Sequence, residues 1–278
     1  MKRVLFILSL FAIGCNDFDP RSLLQAPRVV GLVAEPPALR LGETVTLTAI
    51  EYNPIEVERT WSVCLISLGA FGDYACLDES LVLPIEETSA SVDFTVDNRI
   101  LTTLATYFSQ NQETIEDECG TACTARDGSE REYFDLQINL SSRWADGGEM
   151  ETVKQVRVHF TDEPPNTNPV IRTIVIDGDV MTDTLNPATK HRFEIDVDPS
   201  NLETFVDSGG RTISEDATTT WYTTIGRWEV PVTFGRLQTT ELVMPKTTDK
   251  TDATIMAVVR DGRGGTDFRI LDLDVDPN

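Results

Sequence analysis

The sequence has few residues of the kinds that most enzymes and nucleic-acid-binding proteins depend on. Its 278 residues include only two histidines, and 46 acidic side chains against 23 Lys and Arg give a net charge of −23 at pH 7. Such an excess of negative charge repels phosphate backbones and anionic headgroups. It excludes nucleic acid as a partner, and it excludes electrostatic attraction as the means of binding a membrane. With 40% hydrophobic residues, the chain is still able to bury the core of one or two globular domains.

The sequence also lacks an apolar run long enough to span a bilayer as a helix. Its first apolar stretch, Val4 to Gly14, follows Lys2 and Arg3 and is far shorter than the ~20 residues that a spanning helix needs. A short apolar run behind positive charges is typical of a signal peptide.

The end of this run, Ala12-Ile13-Gly14-Cys15, resembles the lipobox of bacterial lipoproteins, in which small or apolar residues precede a cysteine. The resemblance implies cleavage before Cys15, a diacylglycerol on its sulfur and, as a rule, a third acyl chain. Two or three chains anchor firmly, because each buried methylene contributes ~0.8 kcal/mol. Asn16 after the cysteine, where some retained lipoproteins have Asp, favours the outer membrane. An ordinary secretory signal with a chance cysteine is the alternative.

Beyond Pro27 the sequence shows the alternation of half-buried strands. Thr44 to Ala49 places apolar side chains on one face and threonines on the other, and Thr60 to Leu65 points Trp61 and Val63 inward. The order of these patterns then repeats: Pro27 to Val33 matches Pro169 to Val175, Val45 to Ala49 matches Phe193 to Val197, and Trp61 matches Trp221. Each half ends in a predicted hairpin with a Gly-rich turn, at Asp146 to Gly148 and at Asp261 to Gly265.

The repeat predicts an all-β fold of two β-sandwiches in tandem. The boundaries follow from the Pro-rich stretch between the halves: a signal peptide at 1–14, a lipidated cysteine and tether at 15–27, a first sandwich at 28–162, a linker at 163–169 and a second sandwich at 170–278. The first sandwich has a predicted helical insertion covering one end, capped by Asp97 or Asn98, with one apolar face made by Ile100, Leu101, Leu104 and Phe108.

Two stretches, Gly42 to Ala49 and Val258 to Thr266, resemble bacterial immunoglobulin-like domains, the second being similar to the last hairpin of cadherin-like repeats. With the lipobox and tether, the chain resembles surface lipoproteins of diderm bacteria. The resemblance implies two immunoglobulin-like sandwiches at the cell envelope and brings no active site with it.

Four cysteines follow Cys15: Cys64, Cys76, Cys119 and Cys123. In an oxidising compartment they predict two disulfides, for which three connectivities exist. Cys64 with Cys76 and Cys119 with Cys123 are favoured as staples of loops, because Cys64 has the opposite parity to Trp61 and is expected away from the core face. Crossed pairing stays open. A four-thiolate zinc site is the unfavoured alternative, since it requires closely spaced cysteine pairs.

Candidate residues for chemistry are few. Val206 to Gly210 superficially resembles the surroundings of a serine-protease nucleophile, but a triad needs a histidine, and neither His159 nor His191 is expected beside Ser208. We therefore predict that this segment is a turn between strands, that the protein is not an enzyme and that it has no cofactor. Acidic side chains with Asn201 offer hard oxygens for calcium but match no complete loop signature, so solvated surface is favoured. These weak calcium candidates are Asp177, Asp179, Asp183, Asp196 and Asp198.

Trp144 and Trp228 are the candidate binding residues. Trp144 adjoins a hairpin turn and Trp228 follows Gly226-Arg227, so both are expected to be less easily buried than Trp61 and Trp221. Exposed tryptophans stack on sugars or contact protein partners, although half-buried packing at a sheet edge is favoured for both.

These patterns predict a non-catalytic, lipid-anchored envelope protein whose domains bind a protein or polysaccharide partner or have a structural role. Two alternatives stay open. One is a calcium-dependent adhesion module, and the other, less favoured, is a glycan-active enzyme with two carboxylates in one cleft.

Cells expressing the full chain should incorporate labelled palmitate into it, and Cys15→Ala should abolish the label because no acceptor sulfur remains. The measurement is radiolabel or click detection on the purified protein, with Cys64→Ala as the cysteine control that keeps its label. Unlabelled wild-type protein contradicts the anchor.

Overall fold

The computed structural model describes residues 20–111, 133–160, 166–180, 182–206 and 210–276. The signal peptide, Cys15, Cys119, Cys123 and Ser208 lie outside these residues, so the predictions that concern them stay predictions. Within the described ranges, no helix has the length and apolar character needed to cross a membrane.

Strands make up most of the described chain. The first half contains β1 (Arg28–Glu35), β2 (Ala38–Arg40), β3 (Thr44–Tyr52), β4 (Val57–Cys64), β5 (Val82–Ile85), β6 (Ser91–Thr95), α1 (Asn98–Gln110), β7 (Tyr133–Trp144) and β8 (Glu149–His159). The second half contains β9 (Ile171–Ile176), β10 (Thr184–Leu185), β11 (Lys190–Val197), β12 (Thr204–Val206), β13 (Thr212–Ser214), β14 (Thr218–Thr223), β15 (Arg227–Trp228), β16 (Val232–Phe234), β17 (Leu237–Val243), β18 (Asp252–Arg260) and β19 (Thr266–Val275).

Each half folds into two sheets, and the strand order corresponds in both, with β15 as an additional edge strand in the second half. The first half has the sheets β1-β3-β6 and β2-β8-β7-β4-β5, and the second has β9-β11-β17-β15 and β10-β19-β18-β14-β16, with a separate ribbon β12-β13. In each half a short second strand pairs in parallel with the last strand, β2 with β8 and β10 with β19. The chain is therefore an all-β protein of immunoglobulin-like sandwiches, as predicted. The two halves of the repeat share their strand topology as well as their sequence pattern.

Apolar alternation determines which side chains enter the two cores. Val45 and Leu47 of β3 are buried, as are Trp61 and Val63 of β4, because every second side chain of a strand points to the same face. The second core is built in the same way around Trp221 of β14. At about 1.5–3 kcal/mol for each large apolar side chain, these two clusters are the main source of stability.

Trp144 and Trp228 are both in the cores, so the expectation that they are less easily buried is wrong. They are 5% and 4% exposed. The indole Nε1 of Trp144 donates a hydrogen bond to Asn53 Oδ1 at 2.8 Å, which satisfies its polar end inside the fold. Trp228 packs edge-on against Phe193, with ring centroids 5.0 Å apart. The glycines beside these residues make turns but do not expose them.

Helix α1 confirms the predicted insertion. Asp97 is the N-cap, and its side chain accepts a hydrogen bond from Arg99 N at 2.9 Å. Ile100 is buried, and Leu104 and Phe108 pack against the first core. The helix therefore adds an apolar face to one end of the sandwich.

Polar contacts join the two halves along β1. Asn168, in the segment after the prolines, donates from Nδ2 to the carbonyl oxygen of Ala34 at 2.8 Å and accepts from Thr266 N at 2.8 Å. Arg260 Nη2 donates to the carbonyl oxygen of Val30 at 3.3 Å. A Cβ on Gly31 would lie only 3.0 Å from that guanidinium nitrogen, so the missing side chain permits the close approach.

Lys154 of β8 makes a further contact between the halves. Its Nζ donates to the carbonyl oxygen of Gly264 and, at 3.1 Å, to Thr266 Oγ1. Burial lowers the pKa of Lys154 to about 8, while Asp261 raises it and Arg260 lowers it further. The two halves thus meet around a lysine whose charge is costly to bury.

The free energy of unfolding should therefore depend on Lys154 at alkaline pH. The folded-state pKa lies below the unfolded one, so between about pH 8 and 10.5 the folded state binds fewer protons. Stability gained from this group then increases with pH, by at most about 1.4 kcal/mol per pH unit. In urea titrations, Lys154→Met should remove this contribution and flatten the profile between pH 8 and 10, whereas Lys246→Met, at an exposed lysine, should follow the wild type. Parallel profiles for Lys154→Met and wild type contradict the assignment.

Candidate functional site

The chain between β4 and β5 makes a projecting loop closed by a disulfide between Cys64 and Cys76, and residues 65–76 are called the disulfide loop below. The two Cα atoms are 5.7 Å apart, and the bond confirms the favoured pairing of these two cysteines. Cys64 itself is fully buried, so the expectation from its parity is wrong. Cys76 packs against the first core, so the disulfide lies at the edge of that core and not on a solvent-facing side of β4.

The base of the disulfide loop is held by backbone and side-chain hydrogen bonds. Leu65 N donates to the carbonyl oxygen of Leu81 at 3.0 Å, and Leu68 N donates to that of Ala75 at 2.9 Å. Gln137 of β7 is buried, and its Nε2 donates to the carbonyl oxygen of Tyr74 at 2.6 Å. Ser67 Oγ donates to Gln137 Oε1. The loop is therefore attached to a central strand of the sheet.

The tip of the disulfide loop has an unusual backbone. Gly69 has φ +66°, and Asp73 and Tyr74 both lie in the left-handed region, with φ of +53° and +57°. Two successive side chains in this region cost of order 1–3 kcal/mol each, which persists only where the surroundings impose it. At Gly72 a Cβ would lie 2.4 Å from Leu68 Cβ, so the tight turn excludes a side chain there.

This strained tip presents apolar side chains to solvent. Phe71 is completely exposed, at 108% of its reference area, and Leu68 and Tyr74 are 42% and 40% exposed. Single exposed apolar residues are ordinary on protein surfaces. A phenylalanine without any burial, at the end of a loop braced by a disulfide and a buried glutamine, is instead typical of a contact residue.

A polar cleft of about 310 Å³ lies beside the base of the loop, where α1 meets the 3₁₀ turn Glu79–Leu81. Its lining side chains are mostly hydroxyls and amides: Asp78, Ser80, Thr102, Thr103, Thr106, Tyr107, Gln110 and Asn111. Hydrogen bonds from the side chain and backbone of Ser80 lower the pKa of Asp78, whose carboxyl is therefore ionised at neutral pH. The cleft thus exposes hydrogen-bonding groups.

The acidic side chains considered as calcium ligands contact different partners and do not point to one common site. Asp196 Oδ1 lies 3.4 Å from Arg236 Nε, and Asp183 Oδ1 accepts from Thr184 Oγ1 at 3.1 Å. Hydrogen bonds from the side chain and backbone of Ser200, with Arg172, lower the pKa of Asp198 to about 2. Among the described residues, no group of three or more His, Cys, Asp or Glu is placed to hold a metal ion. The five calcium candidates, Asp179 included, therefore form no shared site there.

The two histidines are in different halves. His191 is buried at 3% exposure, its Nδ1 lies 2.6 Å from Asp177 Oδ2, and its Nε2 accepts from Asn186 N at 2.9 Å. The same Nε2 lies 2.9 Å from Thr189 Oγ1 and 3.1 Å from the carbonyl oxygen of Asn186. His159 is the last residue of β8 in the first half. His191 is thus a core histidine that orders the turn before β11.

Strand periodicity does not identify Phe71 and Tyr74 as candidate contact residues. The signal that could have found them is local: an aromatic residue between Gly69 and Gly72, inside a chain segment closed by two cysteines. Strand alternation gave no weight to this segment because it has no period of two.

No protein-family model matches the sequence, and the comparison with curated proteins finds no match. Among solved structures, the chain is similar to the N-terminal Ig1-2 module of the Drosophila receptor protein tyrosine phosphatase DLAR, at 10% identity over 90% of this chain and 98% of that chain, with a TM-score of 0.27.

It is also similar to a Bacteroides ovatus protein, SGBP-B of a mixed-linkage glucan utilization locus, solved with a mixed-linkage heptasaccharide. The identity is 10% over 90% of this chain and 47% of that chain, with a TM-score of 0.25. A third likeness is to a 1.5-MDa bacterial ice-binding adhesin, at 10% identity over 91% of this chain and 64% of that chain, with a TM-score of 0.24. Likeness at this level says nothing about function.

Removing the disulfide should lower the free energy of unfolding. Cys64→Ala with Cys76→Ala should cost about 2–4 kcal/mol, because the unfolded chain regains the conformations that loop closure removes. The measurement is urea unfolding of wild type and double variant with and without reductant. Reductant should destabilise the wild type by more than the variant; an equal effect on both contradicts a stabilising role for this bond.

Proposed function

We propose that the protein is a non-catalytic envelope protein, anchored by lipid at Cys15, that binds a protein or polysaccharide partner through the disulfide loop. The observation that carries the proposal is Phe71, fully exposed at the tip of a loop that the rest of the sandwich holds in place. The anchor rests on the resemblance of residues 12–15 to a lipobox.

The rigidity of the loop favours a binding role. A partner that contacts a braced loop loses little free energy in ordering it, so most of the apolar area that it buries contributes to affinity. An aromatic side chain buries 150–250 Å² when covered, roughly, and such residues dominate the energetics of interfaces. Tyr74, three residues after Phe71 in the same loop, adds a hydroxyl that is able to hydrogen-bond to a partner.

The charges of the chain favour the lipid as the membrane contact. The net charge of −23 opposes adsorption to anionic headgroups. An acylated cysteine supplies the attachment instead, and the immunoglobulin-like domains then carry the binding loop at the envelope.

The two alternatives have less support. A calcium-dependent adhesion module needs converging oxygen ligands, and four of the five acidic side chains that the sequence singled out contact Arg, Ser, Thr or His separately. A carboxylate-based glycan-active enzyme needs two carboxyl groups facing one cleft, whereas the described cleft beside α1 has one, Asp78, in its lining.

Binding by the full chain in detergent micelles should depend on Phe71. On glycan arrays and on intact envelopes, Phe71→Ser should weaken binding at least about tenfold, since truncating a hot-spot aromatic costs about 2 kcal/mol or more. The same variant should keep the wild-type melting temperature, because Phe71 buries nothing in the free protein.

Phe234→Ser is the matched control. Phe234 is also an exposed phenylalanine, at 66%, but it lies in the second sandwich. It should leave binding unchanged. The proposal fails if Phe71→Ser binds as the wild type does, or if both variants lose binding equally. Retention on glycans alone identifies a polysaccharide partner, and retention only on envelopes that keep their proteins identifies a protein.

A further inference from the structure

The segment that leads from the lipobox to the first sandwich is attached to the second sandwich. Leu24 N donates to the carbonyl oxygen of Thr223 at 2.7 Å, and Thr223 N donates to that of Ser22 at 2.9 Å. Leu24 is 1% exposed and Ser22 is 6% exposed. Residues 22–24 are called the clasp below. They pair in parallel with Thr223, the last residue of β14, through a single bridge at Leu23.

The clasp continues directly into the first sandwich. Residues 23–28 line a small pocket together with Met150 of β8, and Arg28, where β1 begins, donates from Nη1 to the carbonyl oxygen of Arg21 at 2.7 Å. The chain therefore passes between the two sandwiches before β1 starts. The backbone of the clasp is hydrogen-bonded and the side chain of Leu24 is buried. Residues 22–24 are therefore structured and do not act as a free tether.

The clasp and the disulfide loop lie at opposite ends of the first sandwich. Val57, at the start of β4, pairs with Trp144, just before the hairpin turn that leads to Met150. Cys64, at the end of β4, pairs with Gln137. An extended strand rises ~3.3 Å per residue, so the length of β4 separates the two ends by roughly 25 Å.

The same end of the second sandwich carries the turn between β17 and β18. Lys250 Nζ donates to the carbonyl oxygen of Thr224 at 2.7 Å, next to the residue that holds the clasp. Thr247 in this turn is exposed. Asp252 and Asp274 also lie here, so charge does not attract this end to anionic lipid.

We propose that the clasp orients the anchored protein on a phospholipid bilayer, with the Thr223 end facing the membrane and the disulfide loop facing away from it. The inference rests on the proposed lipid anchor at Cys15. From Cys15 to Ser22 the fully extended chain reaches at most ~25 Å, whereas a chain free as far as Arg28 would reach ~45 Å. The clasp thus halves the distance over which the body is able to move and determines which end stays near the lipid.

Energy transfer to the membrane tests this orientation. Full-length acylated protein is reconstituted into phosphatidylcholine vesicles with acceptor-labelled headgroups, and a donor dye is attached through an azide-bearing residue at position 247 or at position 71. Transfer should be at least about twofold more efficient from position 247, given the short reach of the chain. Leu24→Asp should remove most of this difference, and Gln25→Asp, the same charge on an exposed neighbour, should preserve it.

The outcomes separate the orientation from the anchor. Equal transfer from the two positions in wild type, or an unchanged difference in Leu24→Asp, overturns the orientation while leaving the anchor intact. Wild type that fails to float with vesicles, as Cys15→Ala should, refutes the anchor and the orientation with it.

Hydrogen exchange on the full chain in detergent tests the clasp independently of any vesicle, including when Leu24→Asp does not fold. The amides of Leu24 and Thr223 should be protected in wild type and Gln25→Asp, and unprotected exchange at both overturns the clasp.

Discussion

Burial of a tryptophan between two facing sheets is the constraint on which the rest of each sandwich depends. Trp61 and Trp221 occupy equivalent strands, and each is fully buried. The indole Nε1 of Trp61 donates to the carbonyl oxygen of Ser89, and that of Trp221 to Thr233 Oγ1, both at 3.0 Å. With the polar atom satisfied, the ring contributes its whole apolar area to the core. Because the core stabilises each sandwich, the loops at the ends of the sandwich do not need to contribute to its stability.

The two sandwiches are joined by polar contacts of defined geometry. Asn168 of the linker donates to the carbonyl oxygen of Ala34 in the first sandwich and accepts from Thr266 N in the second, both at 2.8 Å. Asn166, two residues earlier, donates to the buried Asp261 at 2.7 Å. Buried polar groups of this kind are costly when unpaired, so they favour one relative placement of their partners over others. The arrangement of the halves is therefore specified by hydrogen bonds along the linker, while stability comes from the separate cores.

The two sites that we propose lie at the ends of this scaffold. The disulfide loop rises from the end of β4, and the clasp attaches the N-terminal segment at the opposite end of the same sandwich. In our proposals, the first end binds a partner and the second faces the membrane. Leu24 is an apolar side chain that the fold buries, whereas Phe71 is an apolar side chain that nothing in the described residues covers. The contrast is the reason why we assign Leu24 to attachment and Phe71 to binding.

The amino-acid sequence alone predicted the main strands, the repeat, a helix capped at Asp97 or Asn98 and the burial of Trp61 and Trp221, because these follow from local periodicity and capping chemistry. Only the tertiary structure decided that Trp144, Trp228 and Cys64 are buried, that Phe71 is exposed and that residues 22–24 pair with Thr223. The reason is physical. A side chain's parity gives the face on which it lies, but its burial depends on whether a distant part of the chain packs against that face, and local pattern carries no record of that contact.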